Sequence, residues 1–146
     1  MRKALIIAIA TSIAVGSLFP LTFLGCVSLG EPKLRVEFYP LPPWRVRLGD
    51  SLEVSIGIAN DAWLLARAKD IHAIALMPED FISSRTGTNE CEMYFGTLYG
   101  GDGLGNTLVL SVSSNVSPGN YTVTIKVLGE NFSEKVFTSQ IEVLPT

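Results

Sequence analysis

The sequence predicts an all-β domain, an antiparallel sandwich of seven or eight short strands, preceded by one N-terminal hydrophobic helix. Three observations carry this. No charge falls between Lys3 and Glu31, which leaves 27 successive uncharged residues, Ala4 to Gly30. From Glu31 onward apolar residues recur with a period of two, the mark of strands with one buried and one wet face. Glycine and proline turn signals interrupt that alternation at short intervals, and no stretch shows the longer period of an amphipathic helix.

The chain thus divides into a signal or anchor segment, residues 1–30, and a single domain, residues 31–146. As a helix the uncharged run would extend about 40 Å, at roughly 1.5 Å per residue. A bilayer's hydrocarbon core is about 30 Å thick. Arg2 and Lys3 precede the run and the acidic Glu31 follows it. Positive residues stay inside, so the expected arrangement is a single-pass cell-membrane protein with residues 4–30 in the bilayer and the domain outside. Three other fates are open to the segment. Cleavage after Ser28-Leu29-Gly30 would secrete the domain, although the apolar run is longer than a usual signal. Phe23-Leu24-Gly25-Cys26 resembles a lipobox, which implies lipidation at Cys26, with Leu24 standing where a small residue is usual. Lys3-Ala4-Leu5-Ile6 is similar to the class III signal of archaeal pilins, which implies an apolar assembly helix; Pro20 interrupts it.

The domain builds its strands in order. Leu34, Val36 and Phe38 alternate with Arg35 and Glu37. Pro40-Leu-Pro-Pro43 has minimal P-x-x-P spacing, but its expected role is a bend between two edge segments, since proline cannot donate to a ladder. Trp44, Val46 and Leu48 alternate with Arg45 and Arg47; beyond a Gly49-Asp50 turn, Leu52, Val54, Ile56 and Ile58 face away from Glu53, Ser55, Gly57 and Ala59. Asp70–Met77 is apolar on both faces, Ile71, Ala73 and Ala75 competing with His72, Ile74 and Leu76 for the core, which suits a central strand. Leu108, Leu110 and Val112 form a further stripe. Tyr121, Val123, Ile125 and Val127 form another, and Phe137, Ile141 and Val143 the last. The strand count and length are those of an immunoglobulin-like sandwich. Tyr121 follows the Pro118-Gly119 turn, where its ring can be buried and its hydroxyl can return to loop backbone as a tyrosine corner.

Leu48-Gly-Asp-Ser-Leu-Glu-Val-Ser-Ile-Gly-Ile-Ala-Asn60 resembles the opening of Ig-like domains found on archaeal and bacterial cell surfaces, the S-layer-associated and adhesion-related (CARDB-like) type. Ala68-Lys-Asp-Ile71, Leu76-Met-Pro78 with Phe81, and Phe95-Gly-Thr-Leu98 follow in that family's order, and Ser117-Pro-Gly-Asn-Tyr-Thr-Val-Thr-Ile-Lys-Val127 is similar to its closing strand. The resemblance runs from about Lys33 to Leu144 and implies a displayed, non-enzymatic domain. The chain departs from the pattern at Trp63-Leu64-Leu65 and at Gly100–Gly105, so features particular to this protein are expected there.

The domain carries nine Lys/Arg against 14 Asp/Glu without a basic stripe, which argues against nucleic-acid binding. Its single histidine, His72, has no cysteine or second histidine at metal spacing and no serine elbow, so no catalytic, cofactor or metal residue is assigned. Gly100-Gly-Asp-Gly-Leu-Gly-Asn106 echoes a glycine-rich calcium repeat but has Gly105 where the aspartate is needed, and reads as a flexible hairpin loop. Cys91 reads as a buried free thiol. Three N-x-[ST] sequons make Asn115, Asn120 and Asn131 candidate N-glycosylation sites. Trp63, Leu64 and Leu65 form either an interaction loop or a plug for the end of a small core.

The expected function is a membrane-tethered extracellular domain for adhesion, envelope scaffolding or accessory binding, meeting other surface proteins or copies of itself. Two alternatives make different demands. A pilin-like or strand-donating filament subunit would offer Leu34–Tyr39 to a neighbour's edge. A carbohydrate-binding accessory domain would gather Trp44, Tyr94 and Tyr99 on one face.

Overall fold

The computed structural model describes residues 30–146. The expected membrane segment as far as Leu29, with Cys26, lies outside the described residues. Among the described residues no helix is long and apolar enough to cross a membrane.

Nine strands follow one another: β1 (Leu34–Tyr39), β2 (Trp44–Arg47), β3 (Ser51–Asn60), β4 (Ala68–Leu76), β5 (Phe81–Ser83), β6 (Glu90–Leu98), β7 (Gly103–Val112), β8 (Gly119–Leu128) and β9 (Lys135–Leu144). They form two packed sheets, ordered β1-β3-β7-β5 and β2-β9-β8-β4-β6. The expectation of seven or eight strands falls short because β5 has only three residues and the alternation of β6 is broken at Gly96.

The expected wholly antiparallel pairing also needs correction: β2 pairs with β9 in parallel. The cause is the proline corner. β1 runs antiparallel to β3, and Pro40–Pro43, with cis peptides before Pro40 and Pro43, carries the chain across to the other sheet. The chain keeps its heading, so β2 lies beside β9 pointing the same way. Trp44 fixes the corner from within. Its indole N–H donates to Pro40 O at 2.8 Å, its ring meets Phe38 edge to face at 5.6 Å, and it is 1% exposed.

The core follows the period of two. Val54, Ile56 and Ile58 of β3 face Met93 and Phe95 of β6 and the inward residues of β4 and β8. The ambiguity in β4 resolves with Ile71, Ala73 and Ala75 buried and His72, Ile74 and Leu76 half-buried on the outer face. Tyr121 packs on Phe81 at 5.1 Å while its hydroxyl donates to Ser117 O at 2.7 Å, completing the tyrosine corner. Cys91 is a buried free thiol.

This topology gives the domain two distinct ends. The chain enters beside the start of β1, and the loops 61–67, 99–102 and 129–134 share that entry end. The 113–118 turn and the loops after β2 and β4 lie at the far end.

Candidate interaction surface

The entry end is organised by one buried polar side chain. Asn60 closes β3 and is fully buried. Its Oδ1 accepts from Lys33 N at 3.0 Å and Ala62 N at 3.2 Å, and its Nδ2 donates to Ala66 O at 2.7 Å and Leu98 O at 3.2 Å. Four hydrogen bonds thereby tie the entering chain, both shoulders of the 61–67 loop and the end of β6 to one amide. A buried amide this fully paired specifies a single geometry.

That geometry determines what the loop presents. Ala66 N donates to Trp63 O at 2.9 Å, closing a turn that turns the middle of the loop outward. Trp63 is 55% exposed and Leu64 67%, whereas Leu65 is half-buried and Ala66 fully buried. Trp63 and Leu64 thus stand at the surface and outside the hydrophobic core cluster. The neighbouring 99–102 loop presses against this turn. A β-carbon on Gly100 would collide with the Trp63 carbonyl, so only glycine permits the approach. Gly101 N donates to Asn60 O at 2.7 Å and Asn60 N to Asp102 O at 2.8 Å. Tyr99, exposed beside Gly100, carries the Arg67 guanidinium 5.6 Å from its ring centre. Arg35 reaches up from β1 to Asp61 at 2.7 Å and also pairs with Glu37. The hydrogen bond from Arg35, with its charge, holds the Asp61 carboxyl below the usual aspartate range.

Other predicted residues take different places. Asn115 and Asn120 are exposed at the far end. Asn131 is half-buried with its amide engaged, Oδ1 accepting from Lys69 N at 2.9 Å and Nδ2 donating to Arg67 O at 2.8 Å. It fastens the 129–134 loop to the start of β4. The glycine-rich stretch is not a loop throughout: Gly103 and Gly105 belong to β7, opposite Ala59 and Gly57. The upper half of β3 carries backbone groups that must be paired, and extending β7 satisfies them. Among the described residues no group of three His, Cys, Asp or Glu side chains is placed to hold a metal. The carbohydrate trio does not assemble, because Trp44 is buried, Tyr94 lies on the outer face of β6 and Tyr99 on the entry loop. Leu34–Tyr39 is paired with β3 on one side along its whole length and is the edge strand of its sheet, so its other side faces no strand of the described residues.

One cluster was not anticipated. A bulge in β4 places Asp70 at φ 51° and turns it toward His72. His72 lies between Asp70, 3.3 Å from Nε2, and Glu92, 2.8 Å from Nδ1, with the Tyr94 ring 4.9 Å away. A hydrogen bond to Asp70, with burial, raises the Tyr94 phenol above its ordinary value. The group is assembled by the strand register, which sets His72 opposite Tyr94 and is not written in either strand alone.

Neither a family model nor a curated protein sequence matches the chain. Solved structures do match. The CARDB domain of the PF1109 protein from Pyrococcus furiosus, determined in complex with di-metal ions, has a TM-score of 0.57 at 15% identity, over 81% of this chain and 93% of that one. The solution structure of the PF1109 CARDB domain gives 0.55 at 16% identity, over 80% and 98%. A family 123 glycoside hydrolase from Clostridium perfringens, described for glycolipid glycan hydrolysis, gives 0.51 at 11% identity over 78% of this chain; the match spans only 27% of the hydrolase. The domain therefore has a CARDB-like fold.

Proposed function

We propose that this protein is a non-enzymatic, membrane-tethered surface domain that serves adhesion, envelope scaffolding or accessory binding in a surface complex. The observation that carries the reading is the absence of a stalk. The uncharged run ends at Gly30 and β1 starts at Leu34. Four residues span at most about 14 Å, so a retained segment that leaves the bilayer at Gly30 holds the sandwich close against it. Confinement of this kind raises the effective concentration of surface partners and lets weak contacts suffice. Ion pairs such as Arg45–Glu142 and Arg35–Asp61 lie on the exposed surface of the domain, which favours display over catalysis. Asn115 and Asn120 stand at the far end, where glycans would clear the membrane.

The test is the intact mass and N-terminal residue of the chain extracted from native membranes, together with protease shaving of whole cells. A chain that keeps its first 30 residues, or carries a lipid mass at Cys26, and loses its domain to external protease supports the tether. A soluble chain beginning after Gly30 overturns it, and a chain beginning at Leu5 favours the filament subunit.

A further inference from the structure

The exposed apolar loop and the membrane segment meet at the same place. Gly30, the last residue of the uncharged run, lies against Trp63: a β-carbon on Gly30 would be 2.8 Å from the indole Nε1. Trp63 and Leu64 are therefore the exposed apolar side chains beside the point where the chain leaves its 27-residue uncharged segment, and exposed Tyr99 stands on the adjoining loop. Asn60 and Gly100 hold that turn rigidly outward. From this juxtaposition we propose that Trp63 and Leu64, flanked by Tyr99, dock into the outer interface of the bilayer and set the orientation of the domain on the membrane. The proposal rests on the tethered reading above.

Two physical arguments favour lipid over a protein partner. Tryptophan and tyrosine collect at membrane–water interfaces, where an apolar ring body and a polar N–H or O–H are both accommodated. Trp63 is positioned for this without any motion of the domain, because its neighbour Gly30 ends the segment expected in the bilayer. Charge agrees. The domain as a whole is acidic, yet residues 30–35, 61–69, 99–102 and 129–135 carry five Lys/Arg and five Asp/Glu. The entry end is neutral in sum and suits zwitterionic headgroups, which the acidic remainder of the domain does not oppose.

The two tryptophans make the proposal measurable, since Trp44 is buried and Trp63 exposed. The full chain and W63F are reconstituted into phosphatidylcholine vesicles, with and without bromine on the acyl chains, and recovered by flotation. The Trp63 signal is the emission lost on going from the full chain to W63F, whose remaining Trp44 emission reports that the fold is intact. Docking predicts that both chains float, and that the Trp63 signal is lost in brominated vesicles and protected from aqueous acrylamide. W63F should be insensitive to bromine. If the chain floats but Trp63 ignores bromine and is quenched by acrylamide, docking is refuted while the tether stands. Protection from both quenchers would also refute it, since protein, a second copy included, would then cover the loop. Failure to float refutes the tether itself, and docking with it.

Discussion

Replacing Asn60 with alanine tests whether one amide organises the entry end. The substitution removes the acceptor for Lys33 N and Ala62 N and the donor for Ala66 O and Leu98 O. The two carbonyl partners are reached through buried hydrogen bonds, and each left unpaired costs about 1 kcal/mol at the lower end of its range. The two N–H partners are only partly buried and can recruit water, so they lose about 0.5–1 kcal/mol each. The total is about 3–4 kcal/mol. A domain of this length has about 6–17 kcal/mol of stability, so N60A should fold but melt about 12–16 °C lower, at about 4 °C per kcal/mol. Thermal unfolding followed by circular dichroism gives the shift, and amide hydrogen exchange should show Lys33 and Ala62 losing protection. Asn60→Asp is the companion variant. It keeps the acceptor but sets an oxygen against the Ala66 and Leu98 carbonyls, and should do no better than alanine at neutral pH. A fall of less than about 4 °C in N60A, corresponding to about 1 kcal/mol, would refute the assignment of Asn60 as the organising residue.

Three further outcomes are expected. Tyr121→Phe keeps the ring on Phe81 but removes the 2.7 Å bond to Ser117 O, and should cost about 1 kcal/mol in a denaturant melt; no change would mean that the corner is held by packing alone. Ser139 has a buried hydroxyl with no partner among the described residues, so Ser139→Ala should leave stability unchanged or raise it by up to about 1 kcal/mol; a loss of more than that would reveal a partner. Asp61 should titrate below the ordinary aspartate range in a carboxyl NMR titration, and Arg35→Gln should return its midpoint toward normal. Because the folded value is depressed, the pairing contributes above the unfolded carboxyl's range and is lost as pH falls through the folded value. An unchanged midpoint in R35Q would rule Arg35 out as the cause.

The strands that were legible in the sequence have one face in the core along most of their length. β3, β7 and β8 carry uninterrupted alternation, and the buried faces proposed for Val54–Ile58, Leu108–Val112 and Val123–Val127 are the buried faces found. The same logic missed β6, although Cys91, Met93 and Phe95 alternate. Gly96, at φ 73°, shifts the next buried side chain to Leu98, and the period is lost where it would have been recognised. Local patterning also could not choose between the faces of β4, because both are apolar; the choice is made by its neighbours β6 and β8 in the middle of the five-stranded sheet. At the entry end, the sequence marked Trp63-Leu64-Leu65 as unusual but could not say which side chains turn outward. That depends on contacts remote in sequence, from Asn60 to Leu98 and from Gly100 to Trp63. The Asp70 bulge was invisible for a similar reason, since it exists only through the register with β6.

The way the chain enters and leaves the sandwich also decides how it answers mechanical tension. β1 starts at the entry end beside Gly30, while β9 finishes at the far end with Leu144. In a tethered chain, tension between the membrane and a partner gripping the far end runs along the strand axes. It then acts on all six β1–β3 register pairs together, as a sliding force, instead of peeling them apart one at a time. β9 meets the same tension flanked by β8 on one side and by β2 on the other. The proline corner that moves the chain from one sheet to the other therefore couples both layers to a single pulled segment.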